Sequence, residues 1–170
     1  MDGVVLIDEQ GIIIEWNQAQ AKITGISQAQ ALGVSAWDVQ YQVIPLERRA
    51  QYNLEDAKDG FLKSLDNDSL EKVGTFREIK IMSASGENKI IQQASFMVKG
   101  EKSNRVGAIV RDVTEYKRAE QALFESKERF ESLFENTPIG VLLADPQGTI
   151  LEVNPAALHI LGSPSVEATR

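Results

Sequence analysis

Gly3-Val4-Val5-Leu6-Ile7-Asp8-Glu9-Gln10-Gly11-Ile12-Ile13-Ile14-Glu15-Trp16-Asn17 stands near the start of the chain. The same pattern returns as Gly140-Val141-Leu142-Leu143-Ala144-Asp145-Pro146-Gln147-Gly148-Thr149-Ile150-Leu151-Glu152-Val153-Asn154. The offset is 137 residues, and it holds on to Gly25 and Gly162. Twelve of the 23 positions from 3 to 25 match their partners, enough to make the repeat a unit of structure. Each copy holds two β-rich apolar runs around a polar turn that ends in Gly, which predicts an antiparallel hairpin. Asn17 is then placed to cap a short helix over Gln18–Ile23, and Gly25 to end it.

Working outward, Ser27 is placed to cap a second short helix over Gln28–Leu32, ended by Gly33. Residues 34–46 show no long period. Leu46, Ala50, Leu54, Ala57, Phe61 and Leu65 recur at spacings of three and four, which predicts one helix over 46–65. Asp66-Asn67-Asp68 is a polar break. Three strand-like runs follow: Gly74–Met82, Lys89–Val98 and Arg105–Val110. Their gaps are short, polar and Gly-containing, so a meander of hairpins is expected. Two strands, then helices, then three hairpin-linked strands predict an α+β fold. The sheet is five-stranded and antiparallel, with helices on one face.

Past Asp112-Val113-Thr114 the pattern turns helical. Tyr116, Leu123 and Phe130 are spaced by seven, and Ala119, Ser126 and Leu133 form the companion set. These are the a and d positions of about three heptads. The stripe is narrow, and two readings stay open: a parallel two-helix seam, or a helix folding back on its own sheet. Pro138 ends it. The chain thus divides into a module at 1–112, a connecting helix at 113–137 and the opening of a second module at 138–170. That last stretch is too small to bury a core alone, so disorder is expected, or pairing with another chain or with the first module.

The composition narrows the chemistry. The net charge of -7 argues against nucleic-acid binding, which needs a basic face. There is no cysteine, hence no disulfide, thiolate or cysteine-metal chemistry. His159 is the single histidine, and it reads as a surface or core residue. The acids Glu55, Asp56, Asp59, Asp66 and Asp68 read as solvated, without metal-ligand spacing. No Gly-rich phosphate loop, nucleotide box or catalytic triad appears, so no enzymatic activity is expected of this chain. No apolar run approaches the ~20 residues of a membrane span. A cytoplasmic location is expected, in a parent protein that could itself be membrane-anchored.

The order of these elements resembles a PAS domain with its C-terminal PAC motif. Asp8-Glu9-Gln10-Gly11, Trp16-Asn17-Gln18-Ala19 and Gly25 resemble the family's opening hairpin and first helix. Arg111-Asp112-Val113-Thr114-Glu115 resembles its Asp-Ile-Thr-Glu ending, with Val113 for Ile. Phe130–Asn136 and Pro138-Ile139-Gly140 resemble the run-in to a second PAS domain. The resemblance implies a sensory or dimerisation module of a larger signalling protein, with a sensor histidine kinase as the leading context. A cyclic-dinucleotide enzyme as output and a ligand-free adaptor are the alternatives.

It also implies a pocket between sheet and helices. The candidate lining residues are Trp16, Trp37, Phe61, Gln92, Gln93 and Ser95. Gln92 and Gln93 are adjacent in a strand, so they point to opposite faces. The alternatives are core packing for the tryptophans and bonding to neighbouring backbone for the inward glutamine. The residues argue against a Cys-linked flavin and, with no His over 46–82, against haem in the first module. A non-covalent flavin, a small metabolite or an empty core remain. Signal transfer is assigned to Asp112, Val113, Thr114, Tyr116, Leu123 and Phe130. The expected partners are a second copy, through the 113–136 helix or the sheet face, and a downstream output domain. Asn17 and Asn154 are read as helix caps, with a signalling role as the alternative.

Overall fold

The computed structural model describes residues 1–66, 76–100 and 103–162, and of 62–66 the backbone only. Asn67-Asp68 of the polar break, the expected strand start at Gly74, part of the 99–104 gap and everything beyond Gly162 lie outside them. Among the described residues no helix is long and apolar enough to cross a membrane. The chain forms two compact units, Met1–Lys117 and Arg118–Arg170.

In the first unit, strands β1 (Gly3–Ile7) and β2 (Ile13–Trp16) make the predicted hairpin, with Val5 opposite Trp16. The turn holds because the Asp8 carboxylate accepts from Gln10 N at 2.9 Å and Ile12 N at 2.8 Å. Gly11 takes φ 84°, a left-handed conformation that suits glycine. Helix α1 (Gln18–Thr24) starts where Asn17 Oδ1 accepts from Gln20 N at 2.8 Å. It lies tight on β1: a Cβ at Gly3 would run into Gln20 Oε1 and stand 3.1 Å from Gln20 Cα, so any side chain there would have to push the Gln20 amide aside. Helix α2 (Gln28–Ala31) follows, with Ser27 and Gln30 forming its capping box.

Two expectations are corrected here. Residues 34–46, which show no long period, contain helix α3 (Ala36–Val43), which buries Val39. A helix this short gives too few turns for a period to emerge. The helix expected over 46–65 is two: α4 (Leu46–Arg49) and α5 (Leu54–Asp66). The apolar spacing runs unbroken across the gap, but Asn53 Oδ1 accepts from Glu55 N at 3.0 Å and starts a new helix.

Strands β3 (Arg77–Met82), β4 (Asn88–Lys99) and β5 (Asn104–Asp112) complete an antiparallel sheet in the order β2-β1-β5-β4-β3. The hairpin therefore joins β5, placing the first and last strands side by side at the centre. Loop residues 33–36 cover the free edge of β2, through Gly33 N to Ile13 O and Ile13 N to Val34 O. The core lies between the sheet and the helices, with Val5, Ile13, Trp16, Ile26, Val39 and Ala108 among its buried members.

Helix α6 (Thr114–Asn136) follows β5 with one residue between. In the second unit, strands β6 (Leu142–Ala144) and β7 (Ile150–Val153) and helix α7 (Pro155–Leu161) repeat the opening hairpin and capped helix. Asp145 repeats the turn of Asp8, accepting from Gln147 N and Thr149 N at 2.9 and 2.8 Å. Disorder, one of the outcomes expected for 138–170, does not describe 138–162, which has a defined hairpin and helix. Leu142, Leu143, Leu151, Ile160 and Leu161 are nevertheless exposed on it.

Candidate functional site: an inner chamber and a pinned helix

All five strands and two helices line one chamber of about 200 Å³. The sheet contributes Val5, Ile7, Ile13, Trp16, Ile79, Ile81, Ile91, Gln93, Ala108 and Val110. Helix α1 adds Gln20 and Thr24, and α3 adds Ala36, Val39, Gln40 and Val43. Among the described residues no charged side chain lines it.

Of the six pocket candidates, Trp16 and Gln93 reach the chamber. Trp16 forms part of its wall and is anchored by its indole N–H, which donates to Ile26 O at 3.0 Å. The register pairs Gln93 with inward-facing Val110 and Gln92 with outward-facing Arg111, so alternation sends Gln92 outside. There its amide donates to Glu78 Oε1 at 3.2 Å. Ser95 accepts from Gln93 Nε2 at 3.4 Å, beyond the chamber wall. Trp37 folds over the β1–β2 turn, against Gly11, and meets Phe61 edge-on at 6.2 Å between ring centres. Both rings are spent on packing.

Sequence reasoning missed Gln20, which reads as an ordinary helix residue, Thr24, just past the end of that helix, and Gln40, in the stretch without a period. Thr24 is satisfied, donating to Gln20 O at 2.9 Å and accepting from Ile26 N at 3.2 Å. Gln20 is only 6% exposed, and its Oε1 has no hydrogen-bond partner among the described residues.

The signal-transfer candidates divide between a buried pin and an exposed seam. Val113 N donates to Ile90 O at 2.9 Å, extending the β4–β5 ladder past its end. Ile90 N donates to the Thr114 hydroxyl at 3.0 Å, and the Asp112 carboxylate accepts from Thr114 N at 3.0 Å. Lys89 Nζ stands 3.4 Å from Asp112 Oδ2. On the outer face Lys117, in the first turn of α6, pairs with Glu78 at 3.1 Å. Gln92 therefore belongs to the network that holds α6, and its amide, with Lys117, keeps the Glu78 carboxyl below its usual range. Along the helix Tyr116, Leu123 and Phe130 are exposed, Leu123 at 73%.

Burial pushes the Asp112 carboxyl up, but the Thr114 hydroxyl and amide and the Lys89 ammonium outweigh it. The group sits below its ordinary 3.8. A carboxylate depressed in the folded state contributes stability that is complete above its unfolded value and is lost as pH falls through the folded one. The pin is therefore expected to weaken only below about pH 4. Unfolding midpoints of the wild type and Asp112→Asn, compared from about pH 5 to pH 3, check this. The gap between the two should close toward the acid end. A gap that stays constant would show that Asp112 is not the titrating group.

The outer end of α6 is held in the second unit. Asn154 is fully buried. Its Oδ1 accepts from Val141 N at 2.8 Å and Ala157 N at 2.9 Å. Its Nδ2 donates to Ile139 O at 2.8 Å and to Phe134 O, in α6, at 3.0 Å. Asn17 repeats three of these bonds, to Val4 N, Gln20 N and Asp2 O. Both asparagines are thus caps that also lock a hairpin, and Asn154 grips the connecting helix as well.

Comparison with known proteins agrees with this geometry. A PAS domain model matches residues 1–115, and a second PAS domain model matches 128–169. Sporulation kinase E of Bacillus subtilis is 27% identical over 168 residues, which cover 96% of this chain; the chain spans about a fifth of that relative's length. The PAS domain of Bordetella pertussis BvgS is similar in fold, with a TM-score of 0.52 at 15% identity, over 75% of this chain and 88% of that one. A sensory box histidine kinase/response regulator from Burkholderia thailandensis gives 0.49 at 20% identity, over 78% and 92%. With the five-stranded sheet, the helix-covered chamber and the Asp112-Val113-Thr114 pin in place, the chain belongs to the PAS domain family.

Proposed function

We propose that this chain is the sensory part of a larger signal-transduction protein, with a sensor histidine kinase as its context, and that it has no catalytic activity of its own. A cue in the chamber acts on the inner face of the sheet and reaches α6 through β4 and β5. The observation that carries this reading is the Thr114 pin. Its hydroxyl bonds the backbone of Ile90, and Ile91, the next residue, lines the chamber. A shift of β4 thus moves the origin of the helix by direct contact. The 27% identity to a sporulation kinase over nearly the whole chain supports the kinase context.

The outgoing step is read as a change of packing between two copies of α6. Coiled coils have discrete packings, and a ligand moves such an equilibrium only through its differential affinity for the two states. Leu123, Phe130 and Leu133 are exposed along one stripe, Leu123 near its middle. Leu123→Asp is therefore expected to weaken self-association at least ~100-fold, since it places paired charges in an apolar seam. Sedimentation velocity across a concentration series measures it. Undiminished association would remove the helix seam from the reading. It would favour the sheet face instead, where Val4 and Val98 are exposed and the Phe96 ring lies over Gly107.

A further inference from the structure

We infer that the chamber selects an uncharged molecule of about one ring carrying an amide-like hydrogen-bonding edge. The inference rests on the sensory reading above and gives it a ligand class.

Three observations carry it. The first is charge. The polar groups on the wall, among the described residues, are the amides of Gln20, Gln40 and Gln93 and the hydroxyl of Thr24, with no charged side chain among them. A carboxylate or ammonium entering this space would lose hydration with no counter-ion among the described lining residues to replace it. The second is size. A protein cavity of ~150 Å³ holds one benzene. A chamber of about 200 Å³ matches a single substituted ring better than the three fused rings of a flavin or a porphyrin. The third is an unmet hydrogen bond. Gln20 lies 94% buried on the wall, and its Oε1 finds no donor among the described residues. Gln93, a half-buried wall residue on β4, makes one long bond of 3.4 Å from its amide to Ser95. Leaving the buried Gln20 oxygen unpaired is unfavourable. A ligand edge with a donor supplies what Gln20 lacks, and an acceptor beside it offers the Gln93 amide a shorter bond, while its ring packs against Ile81, Ile91 and Val110.

Benzamide, benzoate and riboflavin test this on the full chain. Benzamide and benzoate share a ring and nearly a shape, and differ in charge. Riboflavin is uncharged but tricyclic. Titration calorimetry should show benzamide binding, benzoate weaker by at least ~10-fold, and no binding of riboflavin. Gln93→Leu should cut benzamide affinity at least ~10-fold, with an unfolding midpoint at or above that of the wild type. Gln20→Leu provides a second variant should the first fold poorly. Benzoate binding as tightly as benzamide, riboflavin binding, or no benzamide binding would each overturn the ligand class. The sensory reading has its own readout. If benzamide binds as expected but leaves self-association through α6 unchanged, the ligand class stands and the signalling route fails. If Leu123→Asp dissociates the chain while benzamide does not bind, the ligand class falls alone.

Discussion

Trp16→Ala is expected to destabilise the first module by about 3–5 kcal/mol, a large part of the total stability of an ordinary domain. The side chain is 3% exposed, on the last residue of β2, and it touches both the core cluster and the chamber. Two losses add. The indole leaves a void in a core where the neighbours relax only partly. Its N–H also leaves Ile26 O without a donor, in a buried place where an unmet carbonyl is costly. Trp16→Phe separates the two, because it keeps most of the apolar volume and loses only the hydrogen bond; its cost should be nearer ~1 kcal/mol. Urea unfolding followed by far-UV circular dichroism measures both, since the fluorophore itself is altered. A cost below ~1 kcal/mol for the alanine variant would mean that the chamber wall closes without the indole. The second copy carries Val153 at this position, a smaller residue in a hairpin with fewer elements around it.

Asn154→Ala is the second large effect, at about 2–4 kcal/mol on the second unit. Alanine removes one side chain and strands four backbone groups: the N–H of Val141 and Ala157 and the C=O of Ile139 and Phe134. The site is fully buried, so water does not simply take over. An ordinary lost helix cap costs only ~1 kcal/mol, and the excess over that figure measures the locking role. Hydrogen exchange reads the result locally. The Val141 and Ala157 amides should lose most of their protection, while Ile91 and Val110 of the first unit keep theirs. Asn17→Ala, with three such bonds at a partly exposed site, should cost less. Equal costs would show that the bond to Phe134 adds nothing.

How much of this was legible in the chain depends on how local each cause is. The hairpin, its Asp–Gly turn and the Asn cap are settled within a few residues, so two copies spell them the same way. The neighbours within each hairpin-linked set are also readable, because short gaps join them, but the pairing of β1 with β5 links the two ends of the module and has no local signal. Helix α3 was not, since its two turns owe their place to the contact of Val39 with the sheet. Nor was the break before α5, where the Asn53 side chain overrides a continuous apolar spacing. At the site, alternation told that one of Gln92 and Gln93 faces inward, but the choice between them required the partner residue on β5. Gln20 escaped notice because its burial comes from the close approach of α1 to Gly3. The two copies hinted at it: Gly3 and Gly140 agree, whereas Gln20 stands where the second copy has Ala157. The polar wall group is thus a feature of the first copy alone.

The two fastenings of α6 share a property with a wider consequence. Thr114 holds the peptide N–H of Ile90, and Asn154 holds the peptide carbonyl of Phe134. Neither grip reads a side chain on the other partner. Those two bonds leave the residues of α6 between them free to vary, whereas the side-chain pairs Lys89–Asp112 and Lys117–Glu78 tie the start of the helix to this particular sensor. The near end of the helix is thus matched to its sheet, and Asn154 asks of the far end only a peptide carbonyl.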